Sequence, residues 1–149
     1  MPVSVTAAAK YICEKSGWTI TQLALQKILY LAHMVHLGRA SEPLVHGDFE
    51  AWDYGPVHPI LYHKIKAYGS KPVPKVLYPK DELGPAHLAT LNEACERLLK
   101  KSPGELVQNT HWENGAWAKN YSAGAKGIVI SEFDIVQEYN RRMGSQQAT

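Results

Sequence analysis

Apolar residues recur every three or four positions over much of the chain, a spacing typical of one face of an α-helix. The pattern first appears over residues 4–15, with Ser4 as a candidate N-cap and Gly17 as the stop. A second helix follows, with Thr19 and Gln22 as a candidate capping box, an apolar face of Leu25, Ile28, Leu29, Ala32 and Val35, and Gly38 as its end.

The helical pattern returns later in the chain. Pro59 can occupy the first position of a helix, because its missing N–H has no partner to lose there, and that helix stops at Gly69. Three further helices are predicted: over residues 86–101, over residues 105–111, and from a Ser131–Asp134 cap through Tyr139.

A different pattern occupies the segment between the second helix and Pro59. Glu50, Trp52 and Tyr54 alternate there with Phe49, Ala51 and Asp53, which predicts a short strand ended by the Gly55-Pro56 turn. Four prolines within residues 70–85 predict a loop with room for one edge strand. The whole is therefore predicted to be mainly α, a compact bundle of about five helices with a small antiparallel β element. Residues 1–143 form one domain and residues 144–149 a flexible tail.

Composition adds little to this picture. Sixteen Lys and Arg against fourteen Asp and Glu give a formal charge of +2, too balanced to indicate a nucleic-acid or membrane-surface partner. No stretch approaches the roughly 20 apolar residues that span a bilayer, and the N-terminus does not resemble a signal peptide. We therefore expect a cytoplasmic protein with no membrane contact.

The chain has few signs of catalytic or cofactor chemistry. His33 and His36 are neighbours on a helix but lack an obvious third ligand, so no metal site is predicted. Cys13 and Cys95 lie in apolar helical positions that keep a thiol protonated. No nucleophile elbow or phosphate-binding loop is present, and Gly124–Gly127 is interpreted as a turn. We therefore expect no enzyme activity, no cofactor and no metal.

Lysines and tyrosines interleave in the middle of the chain, which is compatible with nucleic-acid binding and equally with a solvated face. The residues concerned are Lys64, Lys66, Lys71, Lys75 and Lys80 with Tyr62, Tyr68 and Tyr78. Because no polar recognition helix accompanies them, the sequence does not favour DNA reading.

The four tryptophans and eight tyrosines fit either a core edge or a protein interface, because both side chains combine an apolar body with a hydrogen-bonding tip. Trp52 is predicted to be buried against the second helix, so that Trp52→Ala would unfold the protein. Gly55-Pro56 is predicted to bring Tyr54 and Tyr62 towards one side, where their loss would cost binding rather than folding.

Two segments carry a resemblance to a known family. Residues 25–36, LQKILYLAHMVH, and residues 49–62, FEAWDYGPVHPILY, resemble the Panacea-domain family, also described as phage-associated GepA-like and including Soc-type antitoxins. The Thr110-His111 pair followed by Trp117 is similar to the C-terminal element of that family. Ala116 stands where the family usually has proline, and Asn140 where an aromatic is common.

The resemblance implies a protein-binding module: an antitoxin that neutralises a cognate protein toxin by direct contact. Two alternatives stay open, a proteolytic adaptor that presents the bound toxin to a protease and a DNA-binding regulator. The sequence also leaves open a homodimer. The residues expected to bind the partner or shape the site are Trp52, Tyr54, Gly55, Pro56, Tyr62, His111 and Trp117.

Overall fold

The structure, a computed structural model, describes residues 1–125 and 127–148, of which residues 145–148 are described by their backbone alone. The described part contains seven α-helices: α1 (Val5–Lys15), α2 (Gln22–Ala40), α3 (Pro59–Ile65), α4 (Pro85–Leu98), α5 (Pro103–Thr110), α6 (Ala116–Asn120) and α7 (Glu132–Ala148). Three strands accompany them: β1 (Phe49–Trp52), β2 (Gly55–Val57) and β3 (Val129–Ile130). The mainly helical class with a small antiparallel sheet is confirmed. The helices exceed the expected five partly because α6, at five residues, is too short to show a helical period.

Helix α2 is the centre of the bundle. Helices α1, α4, α5 and α7 and strand β2 all pack against it. Twelve of its residues are buried, and these include the polar side chains of Gln26, Lys27, His33 and His36. The apolar face predicted for α2 is therefore one side of a helix that is enclosed nearly all round, as expected for a helix in a core.

The ends of α2 differ from the prediction. The proposed capping box of Thr19 and Gln22 is wrong: Thr21 is the N-cap, and the Thr19 hydroxyl donates to the Ser16 carbonyl. Gly38 does not end the helix, which continues to Ala40 and is closed by Ser41 in the left-handed region. Gly38 instead makes room for Tyr139 of α7, whose ring occupies the space that a Cβ would need.

The sheet has the order β2-β1-β3 and is antiparallel throughout. Phe49 is paired with Ile130 and Ala51 with Pro56, so these residues share the buried face. The Phe49 ring packs edge-on against Tyr30 of α2, with ring centroids 5.3 Å apart. The sheet thus packs against α2 with one face, and its opposite face is not covered by α2.

The sequence predicts a loop with room for one edge strand between α3 and α4, and the structure, which describes all of residues 70–85, has there a single isolated bridge, Thr21–Pro72, and no strand. Lys126, within the predicted turn of residues 124–127, and Thr149 lie outside the described residues. The backbone of residues 144–148 continues α7, and the flexibility expected for the tail stays a prediction. No helix in the described segments has both the length and the apolar character needed to cross a membrane.

Candidate functional site

The two segments that carry the family resemblance are joined by hydrogen bonds. Both polar atoms of the Gln26 side-chain amide, on α2, are hydrogen-bonded to the backbone of His58, the N-cap of α3. Its Oε1 accepts from the His58 N–H at 2.9 Å, and its Nε2 donates to the His58 carbonyl at 3.2 Å. Because both groups are buried, the pairing avoids the cost of leaving them unsatisfied. Gln26 therefore fixes the point where the β1–β2 hairpin leads into α3.

Lys27 supports the tip of the same hairpin. Its side chain is fully buried, and its ammonium donates to the carbonyl of Tyr54, in the turn between β1 and β2. Gly55 follows at φ +112°, and a Cβ there would lie 2.5 Å from the Lys27 Nζ. Burial lowers the pKa of Lys27 to about 8. The hairpin turn is therefore built over a buried amine, at a position whose backbone conformation favours glycine.

A stack of three rings joins the hairpin to α5 and α6. Trp117 lies between His111, at a centroid distance of 4.0 Å, and Tyr121, at 4.7 Å. Its indole N–H donates to the carbonyl of Trp52 at 2.7 Å, while the Tyr121 hydroxyl donates to Asp53 at 2.6 Å. The stack thus ties the end of β1 to α5 and α6.

The surroundings of His111 favour its neutral form. Burial lowers its pKa, the Tyr54 carbonyl acts in the opposite direction, and the charge of Lys27 lowers it again. Its Nε2 is buried and has no hydrogen-bond partner within the described residues. The ring therefore acts as a flat surface for Trp117 rather than as a cation.

Trp52 does not lie where the sequence placed it. The prediction that it is buried against α2 is wrong. Side chains alternate between the two faces of a strand, and Phe49 and Ala51 occupy the inner face of β1, so Trp52 lies on the outer face. The half-buried Trp52 ring packs edge-on against Tyr62, with centroids 4.7 Å apart, and its N–H donates to Glu50 at 2.9 Å. Loss of this side chain is accordingly no longer expected to unfold the protein.

All seven residues named from the sequence lie in or against this hairpin. Gly55 and Pro56 are buried in β2, Tyr62 packs on Trp52, and His111 supports Trp117. Tyr54, at the tip of the turn, is 73% exposed. We call Trp52, Tyr54, Tyr62, Trp117 and Tyr121 the aromatic face.

A buried carboxylate behind this face escaped the sequence analysis. Glu138 of α7 is fully buried, and its Oε1 accepts from the Tyr30 hydroxyl at 2.7 Å and from the Ala116 N–H at 3.0 Å. Arg142, one helical turn further on, forms an ion pair with its Oε2 at 2.6 Å. A proline at position 116 would have no N–H to offer, so alanine at this position adds a bond to the network.

Glu138 fixes α6, and hence Trp117, to α2 and α7. Gly115 makes the approach possible, since a Cβ there would lie 3.0 Å from the Glu138 Oε1. In the sequence Glu138 follows the apolar residues Ile135 and Val136 at helical spacing, and Lys27 lies between Leu25 and Ile28. A charged residue within an apolar stripe was the available signal for both.

Other reactive groups lie in the interior. Burial raises the pKa of Cys13 to about 12 and that of Cys95 to about 11, which keeps both thiols protonated. Over residues 1–125 and 127–148, no three His, Cys, Asp or Glu side chains are grouped closely enough to hold a metal ion. His33 packs on Phe49, whereas His36 is hydrogen-bonded to Thr90 at 2.8 Å.

The lowered pKa of Lys27 predicts that the free energy of unfolding increases as the pH rises. Above about pH 8 folded Lys27 has lost its proton, whereas the unfolded chain keeps it until about 10.5, so the unfolded state binds more protons. This shift corresponds to roughly 3 kcal/mol. The free energy of unfolding, measured by denaturant at pH 7.5 and 10.5, should rise by about that amount relative to Lys27→Met. Parallel pH profiles would show that Lys27 is not desolvated.

Comparison with known proteins assigns the chain to a family. Residues 25–118 match the family described as antitoxin SocA-like, Panacea domain, and the chain belongs to this family. It is similar to antitoxin SocA of Caulobacter vibrioides (strain NA1000 / CB15N), with 36% identity over 129 residues that cover 77% of this chain and 69% of the relative. No solved structure matches the chain. The family and this relative support an antitoxin role.

Proposed function

We propose that this protein neutralises a cognate protein toxin by binding it directly through the aromatic face. The observation that carries the proposal is the exposure of Tyr54 at the tip of a hairpin that buried Gln26 and Lys27 hold in place. An exposed aromatic side chain on a rigid support loses little conformational freedom on binding, which favours it as an energetic hot spot.

The surroundings of Tyr54 support the same proposal. Trp52 and Tyr62 are half-buried beside the turn, while Val129 on the outer face of β3 is 45% exposed. Tyr and Trp are enriched at the centres of protein interfaces, which are more apolar than the surrounding surface.

We expect the toxin to be encoded beside this protein, and the experiment is co-expression with that neighbouring gene. Tyr54→Ala and Tyr62→Ala are expected to fold normally and fail to protect the host. Tyr78→Ala serves as the matched control, since Tyr78 is 80% exposed on the loop after α3. If both face variants protect as well as the wild type, the aromatic face is not the toxin-binding surface. Toxin abundance, followed by immunoblot, separates inhibition from delivery to a protease.

A further inference from the structure

A second surface feature, a groove, runs between α4 and the α5–α7 pair, with α2 as its floor. None of the residues of the aromatic face line it. Its volume is about 410 Å³. The groove lies between α4 and α7, which both pack against α2. The larger apolar side chains of its lining are Leu31, Met34, Val35, Leu98, Trp112 and Met143.

Positively charged residues outnumber negatively charged residues in the lining of the groove. Three arginines line it, Arg39, Arg97 and Arg142, against the single lining carboxylate of Glu93. Arg39 binds Glu93 at 2.6 Å, whereas Arg97 approaches the same carboxylate at 3.4 Å and remains 70% exposed. Glu93 is therefore shared, and most of the Arg97 guanidinium is free to meet another anion.

The third arginine connects the groove to the buried network. Arg142 forms an ion pair with the buried Glu138, and its guanidinium lies 4.9 Å from the centre of the Trp112 ring. This contact fixes the indole as a wall of the groove. Methionine side chains, such as Met34 in the floor and Met143 at the edge, adapt to the shape of an incoming apolar group.

We infer that this groove is a second toxin-binding site and that its occupant is an amphipathic helix with apolar anchors and an acidic flank. The inference rests on the proposed function and adds the chemistry of the partner. An apolar floor with the largely exposed Arg97 on its rim is complementary to such a helix, which would place its apolar face on α2 and a carboxylate beside Arg97.

The test is reversal of the exposed rim charge. Arg97→Glu converts the Arg97–Glu93 pair of α4, four residues apart, into a like-charge pair. Lys10→Glu does the same to the exposed Lys10–Glu14 pair of α1 and is the matched control. The probe is the purified product of the adjacent toxin gene, titrated calorimetrically into the full chain. We expect Arg97→Glu to weaken binding at least tenfold and to reduce its salt dependence, with Lys10→Glu unchanged.

Equal affinities of the Arg97→Glu and Lys10→Glu variants would overturn the inference. If Tyr54→Ala still weakened binding in that case, the proposed function would stand without the groove. If the wild type did not bind the toxin, both would fail. A second copy of the chain is the other candidate occupant, and sedimentation of the protein alone tests it. If the wild type is a dimer that the Arg97→Glu substitution dissociates, and toxin affinity is unaffected, the groove binds a second copy of the chain.

Discussion

Replacing Glu138 by alanine is expected to lower the free energy of unfolding by about 3–5 kcal/mol, the usual cost of removing one partner of a buried ion pair. The substitution leaves the largely buried Arg142 without its carboxylate, and the Tyr30 hydroxyl and Ala116 N–H without an acceptor. A domain of this size has only about 5–15 kcal/mol of stability in total. Thermal and denaturant unfolding should therefore show a large loss.

Two variants separate the network from its single bonds. Tyr30→Phe removes one donor and is expected to cost about 1 kcal/mol. Glu132→Ala, at the exposed start of the same helix, should change stability by less than about 1 kcal/mol. A Glu138→Ala protein that melted like the Glu132→Ala protein would contradict the network described here.

The second large effect is expected for Gly55→Ala, which should destabilise the protein by roughly 2–5 kcal/mol. Two causes add. At φ +112° a residue with a Cβ is strained, and the new methyl group would lie 2.5 Å from the Lys27 Nζ and 3.1 Å from the His111 ring. Because the hairpin tip would have to move, the variant should also lose toxin neutralisation.

Gly17→Ala is the control for backbone strain alone. Gly17 has φ +69°, but a Cβ there would meet no atom within 4 Å. Its replacement should cost about 1 kcal/mol and leave neutralisation intact. If the two glycine variants unfold at the same denaturant concentration, the crowding beneath Gly55 does not contribute to stability.

The helices were largely predictable because they depend on local signals. Ser4 caps α1 through its hydroxyl, which accepts from the Ala7 N–H at 3.1 Å, and Pro59 begins α3. The errors arose where tertiary contacts prevail over local preference. Gly38 stays helical because Tyr139 packs over it, a contact between residues about a hundred positions apart that no local pattern reveals.

The residues proposed for the site could be named from the sequence, but their arrangement could not, and their role in binding stays a prediction. The resemblance identified the hairpin and the His111–Trp117 element, whereas periodicity could not assign the faces of a four-residue strand. Phe49 and Trp52 are both aromatic, and the packing of Phe49 on Tyr30 and His33 decides which of them points inward. Lys27 and Glu138 were missed because charged residues are rarely fully buried.

The central claim is that the exposed hairpin tip binds the toxin, and the affinity of the Tyr54→Ala variant for the purified toxin tests it most directly. The account predicts a loss of about 2 kcal/mol, roughly 30-fold in Kd, with an unchanged melting temperature. The Tyr78→Ala variant, which removes a similarly exposed ring elsewhere, should bind like the wild type. Wild-type affinity in a correctly folded Tyr54→Ala protein would contradict the claim.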